Sequence, residues 1–290
     1  MTAPDDVNSA AGTLYVVATP IGNLEDISAR ALRVLSGVAL IAAEDTRHSA
    51  RLLQHFGIAT PLAACHEHNE RDEGDRFIKR LLAGEDVALI SDAGTPLISD
   101  PGYHLVRQAR AAGIKVAPLP GACALVAALC AAGLPSDRFI FEGFLPAKQV
   151  ARRTRLEHLR EEPRTLIFYE APHRILDSLS DMEEVFGADR PAVLGRELTK
   201  AFETLKGLPL AELRAWVASD SNQQRGECVL VVGGWQAPQG EEAVDANTLR
   251  VLRLLLAELP VKRAAAVAAE ITGVRKNVLY QLALQEKRSE

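Results

Sequence analysis

One stretch limits the fold more than any other. Val87-Ala88-Leu89-Ile90 is an apolar run of strand length. It breaks into Ser91-Asp92-Ala93-Gly94-Thr95-Pro96-Leu97-Ile98-Ser99-Asp100-Pro101-Gly102, and Tyr103-His104-Leu105-Val106 then opens a helix that runs to Ala112. Strand, small-residue loop and helix form the unit of an open α/β sheet, whose ligands bind outside the carboxyl ends of the strands. Gly94 and Gly102 allow close backbone approach or a positive φ, and Pro96 and Pro101 stiffen the loop. An ordinary βα turn is shorter and needs no such content, so this loop reads as a ligand loop.

The same rhythm repeats along the chain. Strands are predicted at 14–18, 38–43, 61–65, 87–90 and 115–119, with helical spacing between them (25–35, after His48, 77–82, 103–112), which makes the first half an α/β domain with a largely parallel sheet. A second α/β unit begins near Ser136, with strands at 139–142, 165–169, 192–195 and 227–232 and helices at 148–160, 175–186 and 210–217. The expected division is a disordered tail over 1–12, an N-terminal α/β domain over 13–124, a C-terminal α/β domain over 125–235, a linker over 236–246 and a helical module over 247–290. That module is more basic than the rest and reads as helix, turn at Thr272-Gly273, helix. Its helix-turn-helix outline puts Arg275 and Lys276 where such modules touch nucleic acid; a packing or dimer module is the alternative.

Composition narrows the functional classes. A net charge of −5 argues against a bulk polyanion binder and leaves room for a local basic face. Cys65, Cys123, Cys130 and Cys228 are scattered without a C-x-x-C pair, as expected of a reduced cytoplasmic protein. No basic, apolar leader opens the sequence and no apolar run reaches a membrane span, so neither secretion nor a membrane partner is expected. The first strand lacks a G-x-G-x-x-G, and no P-loop and no G-x-S-x-G elbow occur. His66 and His68 flank Glu67 but make a poor cage alone, so no metal is expected.

What remains is a ring of loops at strand ends: 19–23, 44–47, 91–100, 120–124, 143–146, 170–174 and 196–200. They suit a bulky neutral-to-cationic ligand held by backbone and small residues. Five of the motifs, Ala18-Thr-Pro-Ile-Gly-Asn-Leu-Glu-Asp26, Ala43-Glu-Asp-Thr-Arg-His48, Leu89 through Gly102, Phe168-Tyr-Glu-Ala-Pro-His-Arg174 and Arg196-Glu-Leu-Thr-Lys200, resemble those of the ribosomal RNA small subunit methyltransferase I family, within the tetrapyrrole-methylase superfamily. The resemblance runs in order from about Thr13 to Gly233. It implies two α/β domains of the tetrapyrrole-methylase type with S-adenosyl-L-methionine in the cleft between them. It also implies 2′-O-methylation of a decoding-centre cytidine in 16S rRNA, with the 30S subunit as partner, and a homodimer. Carried across motif by motif, cofactor contacts fall at Pro20, Ala93, Gly94, Thr95, Ile98, Cys123, Ala124, Tyr169, Glu170 and Leu198. Ring-methylating relatives commonly hold Asp where this chain has Thr95, so no charged role is expected there.

Methyl transfer to a ribose hydroxyl needs alignment, and a positioned base adds about 10²–10⁴-fold. Glu44, Asp45, Asp100, Glu170 and His173 are the candidates, and spacing does not choose among them; each carboxylate can equally be a loop cap or ion-pair partner. Arg47, Arg174, Arg196 and Lys200 are candidate phosphate contacts, or partners of a nearby Glu. Arg152 and Arg155 share one side of the 148–160 helix and are candidate RNA contacts on a face that solvent alone would also explain. Two other readings stay open: a methyltransferase of the same fold acting on a small ring, and a non-catalytic RNA-binding assembly factor.

Overall fold

The computed structural model describes residues 11–66, 70–236 and 246–289. Most of the expected tail and linker therefore lies outside the described residues, as do Glu67 and His68, although Gly12 is already tied down by an N–H bond to the Leu81 carbonyl at 2.8 Å.

The first sheet is wholly parallel. Its strands are β1 (Thr13–Val17), β2 (Leu40–Ala43), β3 (Leu62–Ala64), β4 (Val87–Ile90) and β5 (Lys115–Leu119), in the order β3-β2-β4-β1-β5. β2 and β4 are buried at every position, as expected for strands covered on both faces. The covering helices are α1 (Ala29–Gly37), α2 (Thr46–His55), α3 (Glu70–Leu82) and α4 (Tyr103–Ala111). Ser28 caps α1, accepting from Ala31 N–H at 3.0 Å. The segment read as one helix from Glu25 is split: Leu24–Asp26 forms a separate 3-10 turn capped by Asn23, and Ile27 is extended.

The second sheet is mixed. β6 (Phe139–Phe144) runs parallel to β7 (Thr165–Glu170), but β10 (Cys228–Val232) is antiparallel to both β7 and β8 (Pro191–Arg196), and β8 pairs antiparallel with β9 (Thr204–Pro209). The order is β6-β7-β10-β8-β9. β9 was not foreseen. Its sequence Thr-Leu-Lys-Gly-Leu-Pro has a central Gly and a terminal Pro, and it is stable only as an edge strand on β8. α6 (Gln149–His158), α7 (Ile175–Phe186) and α8 (Leu210–Ser219) accompany this sheet, and Phe168, Leu179, Leu194, Leu213 and Leu230 form its core. The small apolar helix α5 (Ala124–Ala131) packs Leu125, Ala128 and Leu129 against Ile167, Val193 and Val229 of the opposite face. Both sheets lie in one compact unit that ends at Gly234.

The remaining described residues form a second unit of three helices, α9 (Ala246–Glu258), α10 (Val261–Thr272) and α11 (Lys276–Ser289). Leu252, Ala265, Ala268, Leu279 and Ala283 are its core; the alanines let the helices approach closely. Gly273 takes the left-handed conformation (φ 76°) that ends α10 and starts the turn, its N–H donating to the Ala269 carbonyl. Among the described residues, no helix is long and apolar enough to cross a membrane.

Candidate active site

A cavity of about 370 Å³ opens where the two sheets present the same ends of their strands. Ile21 follows β1, Ala93 through Asp100 follow β4, Cys123 and Ala124 follow β5, and Tyr169 and Glu170 end β7. β10 contributes differently. Because it is antiparallel, its beginning, Glu227-Cys228-Val229, faces the site that its neighbours reach with their carboxyl ends. Reasoning from strand ends alone could not find these three residues.

Backbone geometry shapes the walls. Thr19 and Gly94 form an isolated antiparallel bridge, with N–H to carbonyl distances of 2.8 and 3.0 Å. Gly94 has a φ of 81°, and a Cβ there would lie 3.2 Å from Ile21 Cγ2. The Thr95 hydroxyl donates to the Ala122 carbonyl at 3.0 Å, so this residue ties one loop to the next and carries no charge. Among the described residues, four other than glycine have positive φ: Leu97 (72°), Ser99 (66°), Glu197 (50°) and Thr199 (66°). They come as two pairs, and each pair brackets one apolar lining residue, Ile98 or Leu198. Such conformations cost roughly 1–3 kcal/mol each and persist where the surroundings over-determine them, often at ligand sites.

Loops from the two sheets also meet. Asn23 N–H donates to Thr199 Oγ1 at 3.2 Å. The Lys200 stem covers Gly22, where an added Cβ would fall 2.3 Å from its Cγ. Leu125 N–H, at the start of α5, donates to the Tyr169 hydroxyl at 3.2 Å. Burial, with the Cys123 group beside it, pushes the Tyr169 phenol above its ordinary range.

The five base candidates separate clearly. Asp100 lines the cavity. Burial raises its pKa, the nearby Ser91 hydroxyl pulls it partly back, and the charge of Asp92 adds to the rise. Glu44 is raised by burial and by the neighbouring Asp100 and Asp92 carboxylates, but it does not line the cavity. Asp45 caps α2, accepting from Arg47 N–H at 2.8 Å; Arg47 holds its carboxyl down at about 2. Glu170 lines the cavity but is 2% exposed, and its oxygens accept from Ala171 N–H, the Arg174 guanidinium and Ser178 Oγ. Those donors occupy its oxygens and tie it to the turn that follows β7. His173 is exposed on the turn Pro172–Arg174 and does not line the cavity.

Of the cofactor candidates, Ala93, Gly94, Thr95, Ile98, Cys123, Ala124, Tyr169, Glu170 and Leu198 all line this cavity. Pro20 does not; it is buried, and its neighbour Ile21 takes the wall position. Ser99, Phe144, Ala171 and Pro172 are further wall residues, all inside loops singled out from the sequence but not chosen individually.

Most of the arginines expected to face RNA are spent on the protein. Arg152 is 3% exposed, with Nε 2.6 Å from Asp181, so it is an interior ion pair and not a surface contact. Arg196 is likewise buried, donating to Gln223, to the Phe202 and Arg225 carbonyls and to Thr204. Arg174 holds Glu170, Lys200 pairs with Glu197 and Glu227 at 2.9 and 3.1 Å, and Arg155 reaches Glu142 at 2.6 Å. Arg47 pairs with Asp45 yet leaves its side chain 90% exposed. Arg275 and Lys276 are exposed at the start of α11.

A parallel sheet and a mixed sheet sharing one loop-walled cavity define the class. The family model for tetrapyrrole (corrin/porphyrin) methylases matches residues 13–214, and that for the RsmI C-terminal HTH domain matches 242–287. Solved structures of the same fold include the methyltransferase CobJ (TM-score 0.58, 20% identity, 77% of this chain and 95% of that one) and uroporphyrin-III C-methyl transferase from Thermus thermophilus complexed with S-adenyl homocysteine (TM-score 0.53, 18% identity, 77% and 97%). Ribosomal RNA small subunit methyltransferase I of Pseudomonas aeruginosa is 77% identical over 96% of this chain and 99% of its own length, and that of Escherichia coli is 58% identical over 99% and 100%. The chain belongs to the ribosomal RNA small subunit methyltransferase I family, within the tetrapyrrole methylases.

Proposed function

We propose that this chain is an S-adenosyl-L-methionine-dependent methyltransferase that modifies the 2′-hydroxyl of a decoding-centre cytidine in 16S rRNA. One observation carries the reading most directly. Among the described residues, the cavity is lined by Asp100, Glu170 and Glu227 and by no Lys, Arg or His, with apolar walls at Ile21, Ile98, Leu198 and Val229. That is a poor site for a phosphate-rich dinucleotide and a good one for a ligand with an aromatic ring, an aliphatic chain and a positive sulfur. S-adenosyl-L-methionine fits, and it supplies an electrophilic methyl group. The names of the full-length relatives supply the acceptor class, rRNA of the small subunit.

In this reading Asp100 acts as the base. It reaches the cavity, and its partial burial raises its proton affinity towards that of a useful acceptor. Bound there, S-adenosyl-L-methionine would supply the methyl group and be released as its neutral thioether, while Asp100 takes the proton that the hydroxyl gives up. Ile98 and Leu198, each fixed between two strained residues, hold the reactants; alignment of this kind is worth roughly 7–11 kcal/mol of barrier. The acceptor is the assembled 30S subunit, and the working unit is a cytoplasmic homodimer.

Transfer of labelled methyl to 30S subunits, followed by nuclease digestion and mass spectrometry of the nucleosides, tests the reaction. The expected product is 2′-O-methylcytidine. Label on a base, or turnover of a tetrapyrrole with none of 30S, would overturn the assignment. Sedimentation showing a monomer would overturn the dimer alone.

A further inference from the structure

β6 carries an irregularity that changes which side chain faces the cavity. Along β6 and β7 the pairs run Phe139 with Thr165, Ile140 with Leu166 and Phe141 with Ile167. The register then skips Glu142, so Gly143 meets Phe168 and Phe144 meets Tyr169. Side chains alternate along a strand, and one extra residue reverses the alternation. Without the bulge Phe144 would stand opposite Glu170, on the face that carries Leu166 and Phe168 and is packed under the core of the second sheet. With it, Phe144 joins Phe141, Ile167 and Tyr169 on the cavity face.

The placement is held firmly. Gly143 has φ 65°, and a Cβ there would lie 3.3 Å from Ser99 Oγ, so the bulge abuts the loop that bears Asp100. The Phe144 ring meets the Tyr169 ring edge-on at 5.7 Å, and Tyr169 meets Phe141 at 4.9 Å. Yet Phe144 remains 54% exposed. A single exposed aromatic is ordinary on a protein surface. An aromatic turned into a site by a bulge, in T-shaped contact with Tyr169 and more than half exposed, is suited to stacking. Four residues on, Lys148 is exposed at the start of α6 and has no ion-pair partner among the described residues, a cation available for a phosphate.

We propose that Phe144 stacks on a nucleobase of the RNA substrate and so sets the nucleotide whose ribose reaches Asp100. This rests on the RNA-methylation reading above. Bases extruded from RNA are commonly held by stacking on aromatic side chains, a sequence-tolerant contact.

The test compares F144A, F144L and F144W with the wild-type protein. Steady-state methylation of unmethylated 30S subunits gives KM and kcat, and equilibrium dialysis of labelled S-adenosyl-L-methionine, without 30S, gives the cofactor Kd. Expected for both F144A and F144L is a rise in KM for 30S of about 10- to 100-fold, with cofactor Kd within about twofold, since the π-face, and not apolar volume, is what stacking uses. F144W restores the wild-type KM. A wild-type KM in F144L, or a loss of cofactor affinity as large as the loss for 30S, overturns the proposal and makes Phe144 a wall of the cofactor site. A wild-type protein that methylates no 30S rRNA overturns the parent reading first, and this one with it.

Discussion

Asp100 sits in conflict with its surroundings, and the conflict yields two predictions. As a base it should dominate turnover: Asp100→Asn is expected to lower kcat about 10²–10⁴-fold at saturating cofactor, as single-turnover methylation would show. The same substitution should stabilise the fold. Burial raises this carboxyl above the ordinary Asp value of 3.8, so the native state binds the proton more tightly than the unfolded chain does. Its favourable contribution is therefore complete below pH 3.8 and is lost as pH rises through the native pKa. At pH 7 the ionised carboxylate is a cost that Asn does not carry. Melting curves should place Asp100→Asn above wild type at pH 7, with the gap closing as the pH falls through the native pKa and closed below 3.8. A lower Tm at pH 7 would instead mean that Asp100 is an essential structural partner. Glu170 marks the contrast. It too lines the cavity, but its hydrogen bonds make it an anchor for the following turn.

At the scale of elements, α6 shows how far a sequence pattern can be trusted. Arg152 and Arg155 lie on one side at helical spacing, which is as consistent with a face turned inwards as with one turned to solvent. Arg152 points in, to Asp181, a residue 29 positions away that no local pattern connects to it. Burial works to raise Asp181, but Arg153, Arg152 and Gln149 together outweigh it and hold the carboxyl low. That contribution is present above the ordinary Asp value of 3.8 and is lost as pH falls towards the native one. Removing Arg152 leaves a fully buried carboxylate with less compensation. Arg152→Ala should cost about 3–5 kcal/mol in urea unfolding, while Arg47→Ala, on a side chain 90% exposed, should leave the unfolding midpoint unchanged. Equal effects would contradict the burial argument. The β-strands of the first sheet were legible because each is a short apolar run between turn signals. β9 and the direction of β10 were not, since a buried run such as Cys228–Val232 has no polarity that states which way it runs. The bulge in β6 was hidden for a similar reason: Glu142 and Gly143 look like an ordinary strand end until the register with β7 is known.

At the scale of the whole molecule, charge is the difficulty for an RNA-modifying reading. The chain carries −5 overall, and long-range attraction to a polyanion is correspondingly weak. The charge is unevenly spread. Residues 246–290 hold eight Lys and Arg against four Glu, leaving 25 against 34 in the rest. In the α/β unit many of the cations are committed: Arg152, Arg153, Arg155, Arg164, Arg174, Lys200 and Arg214 all sit in ion pairs. In the three-helix unit Lys262, Arg263 and Lys276 are exposed and have no salt bridge among the described residues, whereas Arg253 is used on Glu286 at 2.7 Å. Lys276 opens α11 straight after the Gly273 turn, the helix start that reads nucleic acid in helix-turn-helix proteins. A phosphate contact there releases counterions and so appears in the salt dependence of binding. In the intact chain, Lys276→Gln should raise KM for 30S several-fold, reduce the slope of log K against log salt by about 1, and leave cofactor Kd unchanged. An unaltered slope would assign these helices to packing between copies, the reading that their alanine-rich core equally permits.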